Sequence, residues 1–151
     1  MAEDNNAKNY WLVVGSYENY LISKERGFTI QGLKSRQRKK AHLVKPGDKM
    51  LYYLTGRMDI ASVVTVKSDV FEDHSFIWPC TSRADEMYPW RFTTEPDLVV
   101  EEKDFVSARD IHGDLDYLKK WPEKNWTLGF QGNVHQWPEK DYRLVRGLLE
   151  S

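Results

Sequence analysis

The side chains suited to acid–base, nucleophilic or metal chemistry are few in this chain and badly spaced for it. Four histidines, His42, His74, His112 and His135, have 22 or more residues between neighbours. Metal-binding pairs need a much closer spacing. Cys80 is the single cysteine, so no intramolecular disulfide framework and no Cys-based zinc site is available. A thiol beside an imidazole can act as a nucleophile, and His74 is near Cys80 in sequence, but nothing orients the pair. Gly-Phe-Gln-Gly at 129–132 lacks the Lys and Ser or Thr of a phosphate loop. The paired acids Glu72-Asp73 and Glu101-Glu102 are most simply solvent-facing. The expectation is binding without catalysis, and without metal or cofactor.

Two other groups of residues are better placed to bind. Aromatic side chains make up 13% of the sequence, with six tryptophans. Trp78 precedes Pro79, Trp90 follows Pro89, Trp121 precedes Pro122 and Trp137 precedes Pro138. Such rings, exposed in a cleft, stack on flat ligands or cations; Trp11, Trp121 and Trp137 are expected to pack the core instead. The formal net charge is only -1, yet residues 31–57 carry eight basic side chains against the lone acid Asp48, a net of +7. Residues 58–151 carry a compensating -7. A local block of positive potential is the footprint of a phosphate or polyanion contact; the plain alternative is a solvated, solubilising face.

These residues need elements to hold them. Tyr10–Gly15 reads as a strand, Ser16 as the N-cap of a short helix that Gly27 closes, and 28–31 as a brief extended piece. The basic stretch 34–44 is helix-like, and Pro46-Gly47-Asp48 is a turn. Residues 49–55 and 60–70 form the clearest strands, joined as an antiparallel hairpin. Residues 71–89 are a long loop, and long loops are often functional. Strands are expected over 90–94 and, after Pro96, over 98–100; helical turns over 105–111 and 115–119; and a final helix with Pro138 at its first position. The fold class is α+β: a curved, mostly antiparallel sheet or small barrel flanked by short helices.

The ordered motifs carry a resemblance. They are Tyr-Trp-Leu (10–12), Ser-Tyr-Glu-Asn-Tyr (16–20), Gly-Phe-Thr-Ile-Gln-Gly (27–32), Val-Lys-Pro-Gly-Asp-Lys (44–49), Tyr-Tyr-Leu-Thr-Gly (52–56), Phe-Glu-Asp-His (71–74), Tyr-Pro-Trp-Arg-Phe (88–92), Asn-Trp (125–126) and Pro-Glu-Lys-Asp-Tyr (138–142). Taken together they resemble the EVE domain family of the PUA-like superfamily, related to YTH domains, over residues 10–149. The resemblance implies a barrel-like sheet and a pocket for one modified or flipped-out base of DNA or RNA. It places Ser16, Asn19 and Tyr20 at that pocket, with Gln31, Gly32, Tyr53, Trp78, Trp90, Arg91 and Trp126 as further candidates. Lys34, Arg36, Arg38 and Lys39 are the candidate phosphate contacts. Where the related domains place a Trp before Gly32, this chain has Gln31, which can hydrogen-bond a base edge but offers no stacking face.

Function is therefore expected to be that of a non-catalytic nucleic-acid reader. A small-molecule or nucleoside-binding module using the same pocket is the alternative, and an enzyme using His74 or Cys80 is a weaker third. A chain of 151 residues fits one domain, here 10–151 behind a polar tail at 1–9. With no apolar run of membrane-spanning length and no signal-peptide core, a soluble cytoplasmic protein without membrane contact is expected.

Overall fold

Alternation along the first strand decides how the sheet is used. The computed structural model describes residues 9–151. In β1 (Tyr10–Gly15), Tyr10, Leu12 and Val14 enter one core, and Trp11 and Val13 another on the opposite face. In β3 (Lys49–Leu54), Leu51 and Tyr53 join the first core, while Met50, Tyr52 and Leu54 join the second. Both strands are thus covered on both faces, which explains their near-continuous apolar sequences. They pair in parallel, from Tyr10↔Lys49 to Gly15↔Leu54.

A parallel pair needs a crossover, and residues 16–48 supply it. They contain α1 (Tyr17–Glu25) and β2 (Ile30–Leu33). The basic stretch then splits into a 3₁₀ turn, Ser35–Gln37, and the single-turn helix α2 (Arg38–Ala41); no continuous helix runs to Val44. Ala41 and Val44 are buried and fasten this turn to the core. The buried Asp48 carboxylate closes the crossover, accepting from Trp11 Nε1 at 3.0 Å, the Lys45 N–H at 3.0 Å and the Asn9 N–H at 3.2 Å. Of the polar N-terminal stretch, only Asn9 lies within the described residues.

The expected hairpin forms between β3 and β4 (Asp59–Val66), which ends before Val70. After β5 (Phe71–Glu72) and a long loop, β6 runs unbroken from Trp90 to Val99; the expected interruption at Pro96 is absent. The proline is accommodated because the register against β4 shifts there, Val63 facing Leu98 and Val64 facing Pro96. Asp97 is the extra residue of a bulge, which directs its carboxylate to Lys49 Nζ at 2.8 Å and Arg146 Nη1 at 2.7 Å. One half of β6 pairs with β2 and β5, the other with β4, so a single strand carries the sheet around its curl.

Residues 105–111, expected as a helical turn, divide into β7 (Val106–Ser107), paired with β4, and α3 (Ala108–Ile111). β8 (Val134–Trp137) was not expected; it pairs antiparallel with β1 and completes the order β2-β6-β4-β3-β1-β8. Pro138 is the N-cap of α4 (Glu139–Glu150), one position before the site expected for it. Tyr142, Val145 and Leu149 bury that helix on the first core, each worth roughly 1.5–3 kcal/mol of apolar burial. The result is an α+β fold: a curled mixed sheet forming a half-barrel, with short helices at its flanks. No helix among the described residues is long and apolar enough to cross a membrane.

Candidate nucleic-acid interface

Ser16 caps α1, its side chain accepting from the Asn19 N–H at 3.0 Å. That cap fixes the first turn and with it the side chain of Asn19. Asn19 Nδ2 donates to the Pro79 carbonyl oxygen at 3.1 Å. Since a carbonyl can only accept, the amide orientation is fixed, and Asn19 Oδ1 is buried with no hydrogen-bond partner. One turn on, Tyr20 is buried and its hydroxyl meets Ser62 Oγ at 2.7 Å. Its ring lies 5.4 Å from Phe28, 5.5 Å from Tyr52 and 5.8 Å from Phe105. The Tyr52 hydroxyl is also buried and without a partner. Burial, and secondarily Tyr20, push its pKa above the ordinary range, so it stays protonated as a donor.

Asn19, Tyr20, Tyr52, Gln31 and Trp78 converge on one cavity between α1, the ends of β1 and β3, and the loop before β6. Trp78, only 2% exposed, donates through Nε1 to Ser23 Oγ at 3.0 Å. Beneath its ring the Arg91 guanidinium lies 5.4 Å from the centroid. Arg91 is fully buried and binds the loop on several sides: Nε to the Tyr88 carbonyl at 3.1 Å, Nη1 to Ser75 Oγ at 2.8 Å, Nη2 to the carbonyls of Met87 (2.9 Å) and Ser75. Gly32 is where this loop meets the sheet. A Cβ there would fall 2.5 Å from the Tyr88 carbonyl oxygen and 2.8 Å from the Trp78 ring. Tyr88 itself holds φ at 51°, a strained backbone for a bulky residue, and its N–H donates to the buried Glu86 carboxylate at 2.9 Å. The same carboxylate accepts from Ser35 Oγ at 2.9 Å, tying the loop to the basic turn.

The cavity has a volume of about 30 Å³, room for about one water. It adjoins an outer cleft of about 180 Å³, where Lys34, Pro79, Cys80 and Gly132 surround Asn19 and Tyr88. Among the described residues, Lys34, Arg36, Arg38 and Lys39 form no ion pair.

Of the residues expected at the site, Ser16, Asn19, Tyr20, Gln31 and Trp78 line the cavity. Gln31 Nε2 donates to the Gly32 carbonyl at 2.8 Å, and Gly32 acts through the clearance described above. Tyr53 borders the cavity, but its ring stacks on Phe130 at 4.2 Å in the first core. Trp90, Arg91 and Trp126 do not line it. Arg91 supports Trp78 from behind, and Trp90 lies beside Arg38 and His42. Trp126 stacks on His112 at 4.3 Å and packs against the first core, on the far face of the sheet. Ser23, Tyr52, Tyr88 and Asn133 also line it and were not foreseen, although Tyr52 and Tyr88 fall inside motifs quoted above. The buried Asn133 holds two elements together, Oδ1 accepting from the Lys34 N–H at 2.8 Å and Nδ2 donating to the Val14 carbonyl at 3.2 Å.

His74 and Cys80 turn to different partners. His74 Nε2 meets Glu72 at 2.7 Å on the exposed edge. Cys80 Sγ meets Ser82 Oγ at 3.4 Å. Burial opposes ionisation of that thiol, but hydrogen bonds from Ser82, the Arg83 backbone and Tyr88 outweigh it and lower its pKa. Among the described residues no three His, Cys, Asp or Glu side chains are grouped to hold a metal ion.

The curled half-barrel with a cavity under its first helix is PUA-like in fold. The YTH domain of Zygosaccharomyces rouxii MRB1, solved in complex with N6-methyladenosine RNA, superposes with a TM-score of 0.64 at 15% identity, covering 95% of this chain and 87% of that one. Protein Atu2648 from Agrobacterium tumefaciens superposes with a TM-score of 0.57 at 18% identity, covering 94% and 93%. In sequence, the UPF0310 protein PH1033 of Pyrococcus horikoshii is 27% identical over 150 residues, 93% of this chain and 98% of its own. Residues 9–143 match the EVE domain profile. The chain belongs to the EVE domain family.

Proposed function

We propose that this protein is a non-catalytic nucleic-acid-binding module that takes one extruded, modified base of DNA or RNA into the Asn19 cavity. One observation carries the reading: two buried, unpartnered polar atoms, Asn19 Oδ1 and the Tyr52 hydroxyl, border the same cavity as the Trp78 ring. Unsatisfied buried polar atoms are costly in a folded protein. A base edge satisfies them: an exocyclic amine or ring N–H donates to Asn19 Oδ1, and a ring nitrogen or carbonyl accepts from Tyr52. A base in this position also gains stacking area.

The cavity at about 30 Å³ is smaller than any base, so entry requires its walls to yield. Lys34, which lines the outer cleft, and Arg36, Arg38 and Lys39, which follow it in the chain and like it have no ion pair among the described residues, fit the role of neutralising phosphates. The methylated RNA bound by the structurally similar MRB1 YTH domain agrees in ligand class.

The test is binding of short oligonucleotides with modified and unmodified central bases across a salt series. Saturable binding that prefers one modified base is expected. Replacing Lys34, Arg36 and Arg38 together by Ala should flatten the salt slope by about 3 units at most. No binding of any oligonucleotide at low salt would overturn the reading. Free nucleosides bound as tightly as oligonucleotides would favour a nucleoside-binding module in its place.

A further inference from the structure

Outside the cavity, one recess combines available aromatic surface with unpaired positive charge. Arg38, His42, Val70, Phe71, Glu72 and Trp90 enclose about 210 Å³. Trp90 is tethered by its edge, Nε1 donating to the Ser35 carbonyl at 2.9 Å. The His42 ring stands edge-on to it, 5.9 Å away at 61°, and the Arg38 guanidinium lies 5.8 Å from its centroid. With its N–H satisfied, the half-buried indole has only π-surface left to offer. Phe71, across the recess, is 37% exposed. Glu72, the one acid in the recess, is engaged by His74, whereas Arg38 has no acidic partner among the described residues.

Strand register sets the distance between this recess and the cavity. Trp90 pairs with Leu33, and Gln31, which lines the cavity, pairs with Phe92. Two positions along a strand span roughly 7 Å. Lys34 at the cavity mouth begins the turn that ends at Arg38 and His42, so positive charge runs between the two sites.

We propose that the recess is a second base station, which stacks on Trp90 the nucleotide adjoining the one in the Asn19 cavity while Arg38 meets the intervening phosphate. This inference rests on the base-binding reading above and adds that the ligand is single-stranded where it crosses this surface. A base inside a duplex has both faces covered by its neighbours and cannot lie on an indole.

The experiment titrates the whole protein with five-nucleotide single strands, in RNA and DNA forms, whose central base is adenine, N6-methyladenine, cytosine or 5-methylcytosine. The matching free nucleosides and blunt duplexes form the comparison set. For the strand that wild-type protein binds tightest, Trp90→Ala should weaken affinity by about 5- to 150-fold, the equivalent of one base–aromatic stack. Binding of the free nucleoside should change by less than about twofold, since the loss is confined to a neighbouring base. The RNA and DNA arms separate the two sugar chemistries, and the Trp90 loss in either supports the station. An unchanged affinity for the strand, or an equal loss for strand and nucleoside, overturns it while leaving the cavity reading intact. Wild-type protein that binds no strand at all removes the cavity reading and this inference with it. Should Trp90→Ala fail to fold, Phe71→Ala decides the matter, because that side chain is 37% exposed, lines the recess and carries no charge to meet a phosphate. A loss confined to strands supports the station, and no loss overturns it.

Discussion

The carboxamide of Asn19 is held by the carbonyl of Pro79, 3.1 Å from Nδ2, and this one bond turns Oδ1 inward. A helix residue and a loop residue, 60 positions apart, together decide which polar atom the cavity presents. Asn19→Asp replaces that donor with a second acceptor facing a carbonyl. Loss of Oδ1 in Asn19→Ala should weaken binding of the preferred oligonucleotide by about 5- to 150-fold, the range of one buried hydrogen bond. Asn19→Asp should weaken it at least as much, because the carboxylate also repels the backbone of the ligand. Anisotropy titrations on both variants check this, and unaltered affinity in either would remove Asn19 from the site.

Gly32 leaves no room for a methyl group. In Gly32→Ala the new Cβ would lie 2.5 Å from a backbone oxygen, that of Tyr88, and 2.8 Å from Trp78, so the loop must shift. A cost of about 1–3 kcal/mol is expected in chemical denaturation, accompanied by weaker ligand binding. Gly147, in α4, has open space where a methyl group would stand, with nothing within 4 Å, and Gly147→Ala should stabilise by about 0.5–1 kcal/mol.

Arg91 holds the loop from inside. In Arg91→Met the carbonyls of Ser75, Met87 and Tyr88 lose their shared donor. Removing it should cost roughly 2–5 kcal/mol. The loop at 73–89 should then become open to limited proteolysis at temperatures where the rest of the sheet stays folded. Arg91→Lys should recover little, since one ammonium cannot span the same set of acceptors.

His135 makes stability depend on pH. Burial lowers its pKa from the ordinary 6.5, and Nδ1 meets the Tyr117 hydroxyl at 2.8 Å. The folded protein therefore resists protonation that the unfolded chain accepts. Its contribution is complete above pH 6.5 and declines as pH falls from there to the folded-state value. Denaturation midpoints measured from about pH 8 down to about pH 5, spanning the ordinary histidine range, should show that decline. His135→Gln should remove it.

Much of this arrangement is legible in the sequence, and the exceptions have physical causes. Tyr10–Gly15 and the cap at Ser16 are local signals, and the structure keeps both. β8 is only four residues long and buries just Val134 and Trp137, too few alternations to distinguish it from a loop. The proline in β6 hides a continuous strand because the compensating bulge depends on β4, more than 30 residues away. The tryptophans show the same limit at the site. Trp78 and Trp90 both adjoin prolines, yet Arg91, lying between Trp90 and the rest of β6, holds one over the cavity while the Ser35 carbonyl holds the other outside it. Which ring faces which opening is decided by partners distant in the chain.

The parallel pairing of β1 with β3 bears on how the molecule folds. These two strands cannot zip until the 33 residues between them, 16–48, have closed into their crossover, and closing such a loop is an entropic step taken before the pairing rewards it. Helix α1, β2 and the basic turn are that crossover. The segment that carries the proposed site is therefore no appendage added to a finished scaffold. Substitutions in it that loosen local order should slow the folding reaction itself, so defects in recognition and defects in production of the folded chain will tend to arise from the same positions.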